Sequence, residues 1–364
     1  MTVEPLLYVP AIEVPEDGEA ETLAGLMESL RGIADTTFKD TGRATRSVHA
    51  KSHGLLRAEL RVAEGLPPLL AQGIFAQPGS WPVLMRFSST PGDLLDDSVS
   101  TPRGLAVKVV GVQGERLPGS EGAVTQDFVL INGDTFAVPG PKKFLSSLKL
   151  LASTTDKVPN LKKALSAVLR GAEKVVEAFG GESGVLKGLG GHPYTHPLGE
   201  TYFSQVPILF GPYMVKLSVA PVAPALLALT DAPLAINGRP NGLRDAVVDY
   251  FSSQRAEWEI RVQFCTDLST MPIEDASVTW PQDQSAYIAV ARLVAEPQAA
   301  WSAARAAAID DGMGFSPWHG ITAHRPIGAV MRVRKAAYEM SIRQREAHSG
   351  HAVAEPRDLN DLPA

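Results

Sequence analysis

Short apolar-rich runs, with period-two alternation in places such as Arg86-Phe87-Ser88, read as strands over residues 55–62, 83–88, 104–112 and 127–131. Gln77-Pro78-Gly79 and Thr90-Pro91-Gly92 stand between runs as turn signals. Strand-like runs return at 201–206, 213–220, 257–266 and 285–293. Many short strands at close spacing predict a barrel or sandwich. Elsewhere the period is helical. Leu23, Leu26, Met27 and Leu30 form one stripe in the first forty residues, which predicts a helix packed on another element. A second stripe, Leu161, Leu165, Val168 and Ala172, lies in the helical stretch 142–188. Two further helices are predicted at 299–308 and 326–347, the latter with Pro326 in its first turn and Gly350 as its stop. No repeat and no linker divides the chain. The pattern predicts an α+β protein: an antiparallel β-barrel with an inserted helical segment and a helical C-terminal layer. Residues 1–40 read as a helical arm, 41–348 as the main domain, and 349–364 as a loose polar tail.

Composition narrows the function. A 45% hydrophobic share of 364 residues supplies a core large enough to enclose a cofactor. A net charge of -6 without a long basic run argues against a nucleic-acid surface. The single cysteine, Cys265, rules out an internal disulfide and any cysteine-rich metal or iron–sulfur site, and its apolar run marks it as a small buried residue. The N-terminal residues show no secretory pattern and no apolar run has membrane length, so the expectation is a cytoplasmic protein without a membrane span.

Arg334, Tyr338 and Arg345 fall on one face of the last helix. A cation beside a phenol lowers its pKa, and phenolate is a hard anionic ligand suited to ferric iron. The same residues, with Arg332, Lys335 and Arg343, also fit a solvated basic helix face. In Arg46-Ser47-Val48-His49-Ala50-Lys51, His49 has the chemistry of a proton carrier near neutral pH, or of an ordinary structural histidine. Arg86 and Ser88, two residues apart in a strand, are expected to point inward together. Pro102-Arg103-Gly104 and the segment from Gln126 to Asn132-Gly133 complete the set. Walker, GxGxxG, GxSxG and HExxH motifs are absent. Pro193 and Pro197 prevent His192 and His196 from sharing a helix, and His348 and His351 sit in the tail.

Taken in chain order, these motifs resemble those of the monofunctional haem catalases. Arg46 to Lys51 is similar to R-x-V-H-A-K, residues 83–88 to V-x-V-R-F-S, and residues 102–108 to P-R-G-F-A-V-K. Residues 127–132 resemble D-L-x-G-N-N, Trp280-Pro281 the W-P dipeptide, and Arg334-x-x-x-Tyr338 the ligand helix. The resemblance runs from about residue 43 to 346, and residues 208–221 and 310–345 look most like the small catalase-related peroxidases. It implies a catalase-like barrel enclosing haem b, with Tyr338 as the iron ligand and Arg334 as its charge partner. It further implies His49 as the distal acid–base oriented by Ser88, Asn132 as distal donor after a one-residue slip, and Arg46, Arg86 and Arg345 on the haem propionates. Peroxide and a small organic reductant would be the substrates, and a homodimer or tetramer the assembly. Thr101 replaces the acid that usually precedes P-R-G, which favours a peroxidase over rapid H₂O₂ dismutation. The alternatives are a compact catalase, a rearranging enzyme like the allene oxide synthases, and a haem carrier or sensor without turnover. Val48 is the catalase choice where those synthases carry threonine.

Overall fold

The computed structural model describes residues 4–92, 94–154, 193–360 and 362–363. The helical stripe expected at Leu161, Leu165, Val168 and Ala172, and His192, lie outside these residues. Where the strand-like runs occur the chain forms β1 (Ser52–Val62), β2 (Gly79–Ser89), β3 (Arg103–Val110), β4 (Thr125–Ile131), β5 (Tyr202–Phe203), β6 (Ile208–Phe210), β7 (Tyr213–Pro221), β8 (Ala256–Phe264) and β9 (Ile288–Ala295). Antiparallel pairing runs β1-β2-β3-β4-β5-β7-β8-β9 and back to β1, closing an eight-stranded barrel, with β6 paired outside it to β7. The two residues of β5 make the closure: Phe203 pairs with Ile131 and Tyr202 with Val219. The expected strand 201–206 is therefore shorter, because Ser204 accepts from Leu217 N–H and donates to Val206 O while Gln205 turns at φ 61°.

Strand parity sorts the side chains. Leu56, Leu60, Val83, Met85, Phe87, Leu105, Val107, Val109, Phe128, Leu130 and Trp258 fill the barrel interior. Their neighbours Leu55, Leu84 and Ala106 belong to a separate apolar cluster outside it, with Ile309, Phe315 and Leu362. Arg86 and Ser88 share the parity of Leu84. They do face the same way, but away from the barrel interior rather than into it. On β8 the outer positions Glu257, Glu259 and Arg261 meet solvent and Arg292, so that side of the barrel needs no cover. Every position of β3 is buried, so that side has one.

The cover is helical. α1 (Glu19–Thr41), α2 (Pro141–Thr154) and the last helix α6 (Ala329–Ser349) pack through Leu26, Leu30, Ile33, Leu148, Val333 and Met340. Between α2 and α6 come α3 (Pro224–Leu227), α4 (Gly242–Phe251) and the short α5 (Ala303–Arg305). The predicted helix 299–308 begins only at Ala303, where Ser302 caps it, and widens into a π turn over Ala306–Asp311. Pro326 is not in the last helix. That helix starts after Gly328, whose φ of 86° and approach to Ile273 O exclude a side chain, and Pro326 bridges to Ile208 instead. Gly350 does end it, at φ 70° with its N–H on Glu346 O. The tail is not loose: Leu362 is buried, and Glu355 reaches Lys108. α4 went unpredicted. It presses Val247 on β1 where Gly54 leaves room, since a Cβ there would lie 2.9 Å from Val247 Cγ1.

Trp258 anchors the interior beside Phe87, its indole N–H donating to Leu198 O at 3.2 Å. Trp258→Ala is expected to lower stability by about 3–5 kcal/mol, read as a fall in the urea midpoint. A loss below about 1 kcal/mol would contradict a close-packed interior.

Candidate active site

The site lies on the covered outer face of β1–β4. His49 precedes β1 in a left-handed conformation, φ 55°, held by its N–H on Thr90 O and its carbonyl under Arg86. For a non-glycine residue this is a strained geometry costing about 1–3 kcal/mol. The imidazole Nδ1 meets Ser88 Oγ at 3.0 Å, and among the described residues Nε2 has no hydrogen-bond partner. Burial, then Arg86, Arg334 and Arg46, push the His49 pKa down to about 3, so the ring is neutral near pH 7. Gly104 makes this arrangement possible. A Cβ there would stand 2.6 Å from Nδ1 and 2.5 Å from Cε1 of His49.

Arg46, Arg86 and Arg345 converge beside it on the π turn and the residues that follow. Arg86 Nε donates to Asp310 at 2.7 Å. Arg46 donates to the carbonyls of Asp310, Ile309 and Met313, and Arg345 to those of Asp310, Asp311 and Met313. Wider π geometry turns these carbonyls toward the guanidiniums. Burial and Arg86 push the Arg345 pKa down to about 10, and burial, Arg86 and Arg345 push Arg46 down as well. Three buried polar atoms nearby, Arg345 Nε, Thr45 Oγ1 and Ser47 Oγ, have no partner. Buried cations with donors to spare fit a ligand that brings anionic oxygens.

On α6, Arg334 donates to the Tyr338 oxygen at 2.7 Å and stacks over its ring. The basic face is only partly solvated, with Arg343 exposed but the other arginines engaged. Arg345 is 3% exposed, and Arg332 binds Glu13, Glu19 and Glu274, tying the N-terminal arm down. Asn132 stands at the end of β4 with its amide engaged, accepting from Arg103 N–H and donating to Glu200. His196 accepts Leu198 N–H within its own turn, and His348 bonds Gln344 O. Among the described residues no three His, Cys, Asp or Glu side chains gather as a metal site, and no helix is long and apolar enough to cross a membrane.

Asp310 and Gly104 were not singled out in the sequence. Gly104 stood inside a recognised motif. Asp310 gave no local sign, since its partners Arg86 and Ser52 are 224 and 258 residues away. Two clefts among the described residues are lined by neither His49 nor Tyr338: one touches Met331 and Val129, and the other is lined by Lys51, Ser89, Asp96, Asp97 and Thr101. For a haem the chain offers a phenol with a cation on its oxygen, an uncharged imidazole, and three arginines with one acid. That donor set fits an iron porphyrin carrying two carboxylates.

The sequence matches no protein-family model and no curated protein. Solved structures match. Catalase A from Saccharomyces cerevisiae superposes with a TM-score of 0.59 at 16% identity, over 85% of this chain and 63% of that one. A fungal catalase gives 0.58 at 17%, over 90% and 68%, and a bacterial catalase 0.57 at 17%, over 90% and 61%. The fold is catalase-like, and the chain spans about two thirds of the length of these proteins.

Gly104→Ala is expected to displace the His49 ring, because strand β3 cannot retreat from its paired neighbours. The measurement is nitrogen NMR of the imidazole: the Ser88-bonded Nδ1 signal should shift, with an overpacking cost of about 1–3 kcal/mol. An unchanged signal would mean that the ring is held by something other than this gap.

Proposed function

We propose that this chain is a haem-dependent peroxidase that reduces organic hydroperoxides and H₂O₂ with a small organic reductant. The observation that carries the reading is the pairing of a cation-bound tyrosine, Arg334–Tyr338, with a buried neutral histidine whose field includes that same Arg334. A catalase-like fold supports it.

Tyr338 would be the iron ligand, with Arg334 donating a hydrogen bond to its oxygen. Arg46, Arg86 and Arg345 would hold the propionates. When bound, haem iron supplies the Lewis-acid and redox chemistry that opens the O–O bond. The chain's own part is proton handling. Ser88 fixes the ring through Nδ1, leaving Nε2 to accept the proton from one peroxide oxygen and return it to the other. Burial, with Arg86, Arg334 and Arg46 around it, keeps the ring unprotonated beforehand, so it would begin each cycle as a base. Asn132, tied to Arg103 and Glu200, braces the ends of β3 and β4 behind the imidazole. A carrier or sensor has no use for this distal set.

Tyr338→Phe is expected to lose haem or shift its absorption spectrum, whereas His49→Ala should keep haem and lose about 10²–10⁴-fold in peroxide cleavage. Parent-like spectra and rates in both variants would end the assignment.

The balance between peroxidase and catalase activity is read at Thr101, a neutral residue in the cleft it shares with Asp96 and Asp97. Those two carboxylates are already engaged, Asp97 by Lys51 and Asp96 by Ser98. Without the acid that the resemblance leads one to expect at Thr101, bulkier and less polar peroxides are favoured. Reductant-dependent turnover of cumene hydroperoxide should therefore rival oxygen release from H₂O₂, and Thr101→Asp should move the balance toward oxygen. Dominant oxygen release with inert organic peroxides would make the protein a compact catalase.

A further inference from the structure

We propose that Asp310 is a built-in counter-ion to the arginine cluster: it neutralises Arg86, leaving two net positive charges to receive a ligand with two carboxylates. The inference rests on the haem reading above and assigns a function to a residue to which the resemblance gave no role. Asp310 is buried, accepts from Arg86 Nε at 2.7 Å and from Ser52 Oγ at 2.6 Å, and stands 3.5 Å from Arg46. One of its carboxylate oxygens faces both arginines and the other faces Ser52, so it belongs to the cluster rather than to the surface. Asp311, its neighbour, also acts on Arg345 and Arg46, but its charge is matched by its own pair with Arg43, so the pair adds no net charge. Arg46, Arg86 and Arg345 against Asp310 therefore leave a net charge of +2.

Without Asp310 three buried guanidiniums would repel one another with no anion between them, so the acid stabilises the ligand-free fold. For a dianionic ligand the same carboxylate is a repulsive neighbour. At a separation of about 12 Å and an effective dielectric near 20, one such charge changes affinity by about tenfold. Stability and ligand affinity thus respond to this one charge in opposite directions, which no purely structural residue would do.

The test compares ferric protoporphyrin IX with its dimethyl ester, which lacks both carboxylates. Each is titrated into the haem-depleted full-length chain by Soret absorption, beside thermal melts of the ligand-free protein. Asp310→Asn keeps the shape and most hydrogen bonds but removes the charge. It should melt lower than the parent, bind the diacid about tenfold tighter, and bind the diester unchanged. Unchanged or weaker diacid binding by folded Asp310→Asn overturns the inference. The double variant Arg86→Gln/Asp310→Asn removes the ion pair as a unit and should fold even if the single one does not. It should hold the diacid within about threefold of the parent, whereas Arg86→Gln alone should lose about tenfold. Equal losses in those two variants also overturn the inference. If the parent binds neither porphyrin, the haem reading itself fails, an outcome distinct from both.

Discussion

Barrel closure is the constraint from which the site follows. Once β5 joins β4 to β7, the interior is sealed and filled by side chains such as Trp258, Phe87 and Tyr202. An eight-stranded barrel has an interior just wide enough for its own side chains. Polar chemistry must then use the opposite parity of each strand. Arg86, Ser88, Gly104, Lys108 and Asp127 all take it, and the register places Ser88 opposite Gly104 and Lys108 opposite Asp127. A one-residue slip of β2 on β3 would send Arg86 into the apolar interior. Chemistry and core packing therefore select the same register.

The strands were legible because short apolar runs and their alternation are local, and so was the Arg334–Tyr338 face, because helical spacing is local too. What escaped depends on contacts distant in sequence. The strand expected at 201–206 is present, but its shortening to Tyr202–Phe203, where the chain meets Ile131 and Val219, was not legible. The direction of Arg86 and Ser88 was misjudged for a similar reason: spacing shows that two residues share a face, while only the packed strands show which face is the interior. α4 has apolar residues at Leu243, Val247 and Phe251, yet Arg244, Asp245 and Asp249 between them and Pro240-Asn241-Gly242 before them mask the stripe. The tail looked polar because its anchors are single residues, Glu355 and Leu362, with no pattern around them.

Covering a polar site brings charges into the dark, and the chain answers with pairs. Lys51 meets Asp97, Arg103 meets Glu200, and Arg86 meets Asp310. His49 is kept neutral rather than paired. A carboxylate beside it would raise its pKa and leave it protonated, unable to begin as a base. The absence of an acid partner at Nδ1, where Ser88 stands instead, is thus part of what suits the ring to proton exchange.

The clasp at Lys108 shows how the cover is held. Lys108 donates to Asp127 at 2.7 Å and to Glu355 of the tail at 2.5 Å, under the ring of Phe315. Burial alone would lower the lysine pKa, but the two carboxylates outweigh it and raise it. Such buried pairs add little net stability, because desolvation offsets most of the attraction, but removing one partner is severe. Their effect is on register. Glu355 has only one buried ammonium to meet, and meeting it sets Ala354 N–H on Gly312 O and Leu362 against Ile309 and Phe315. Those contacts fix the residues whose carbonyls hold Arg46 and Arg345. The last fourteen residues thereby act on the arginine cluster through the π turn, without touching it.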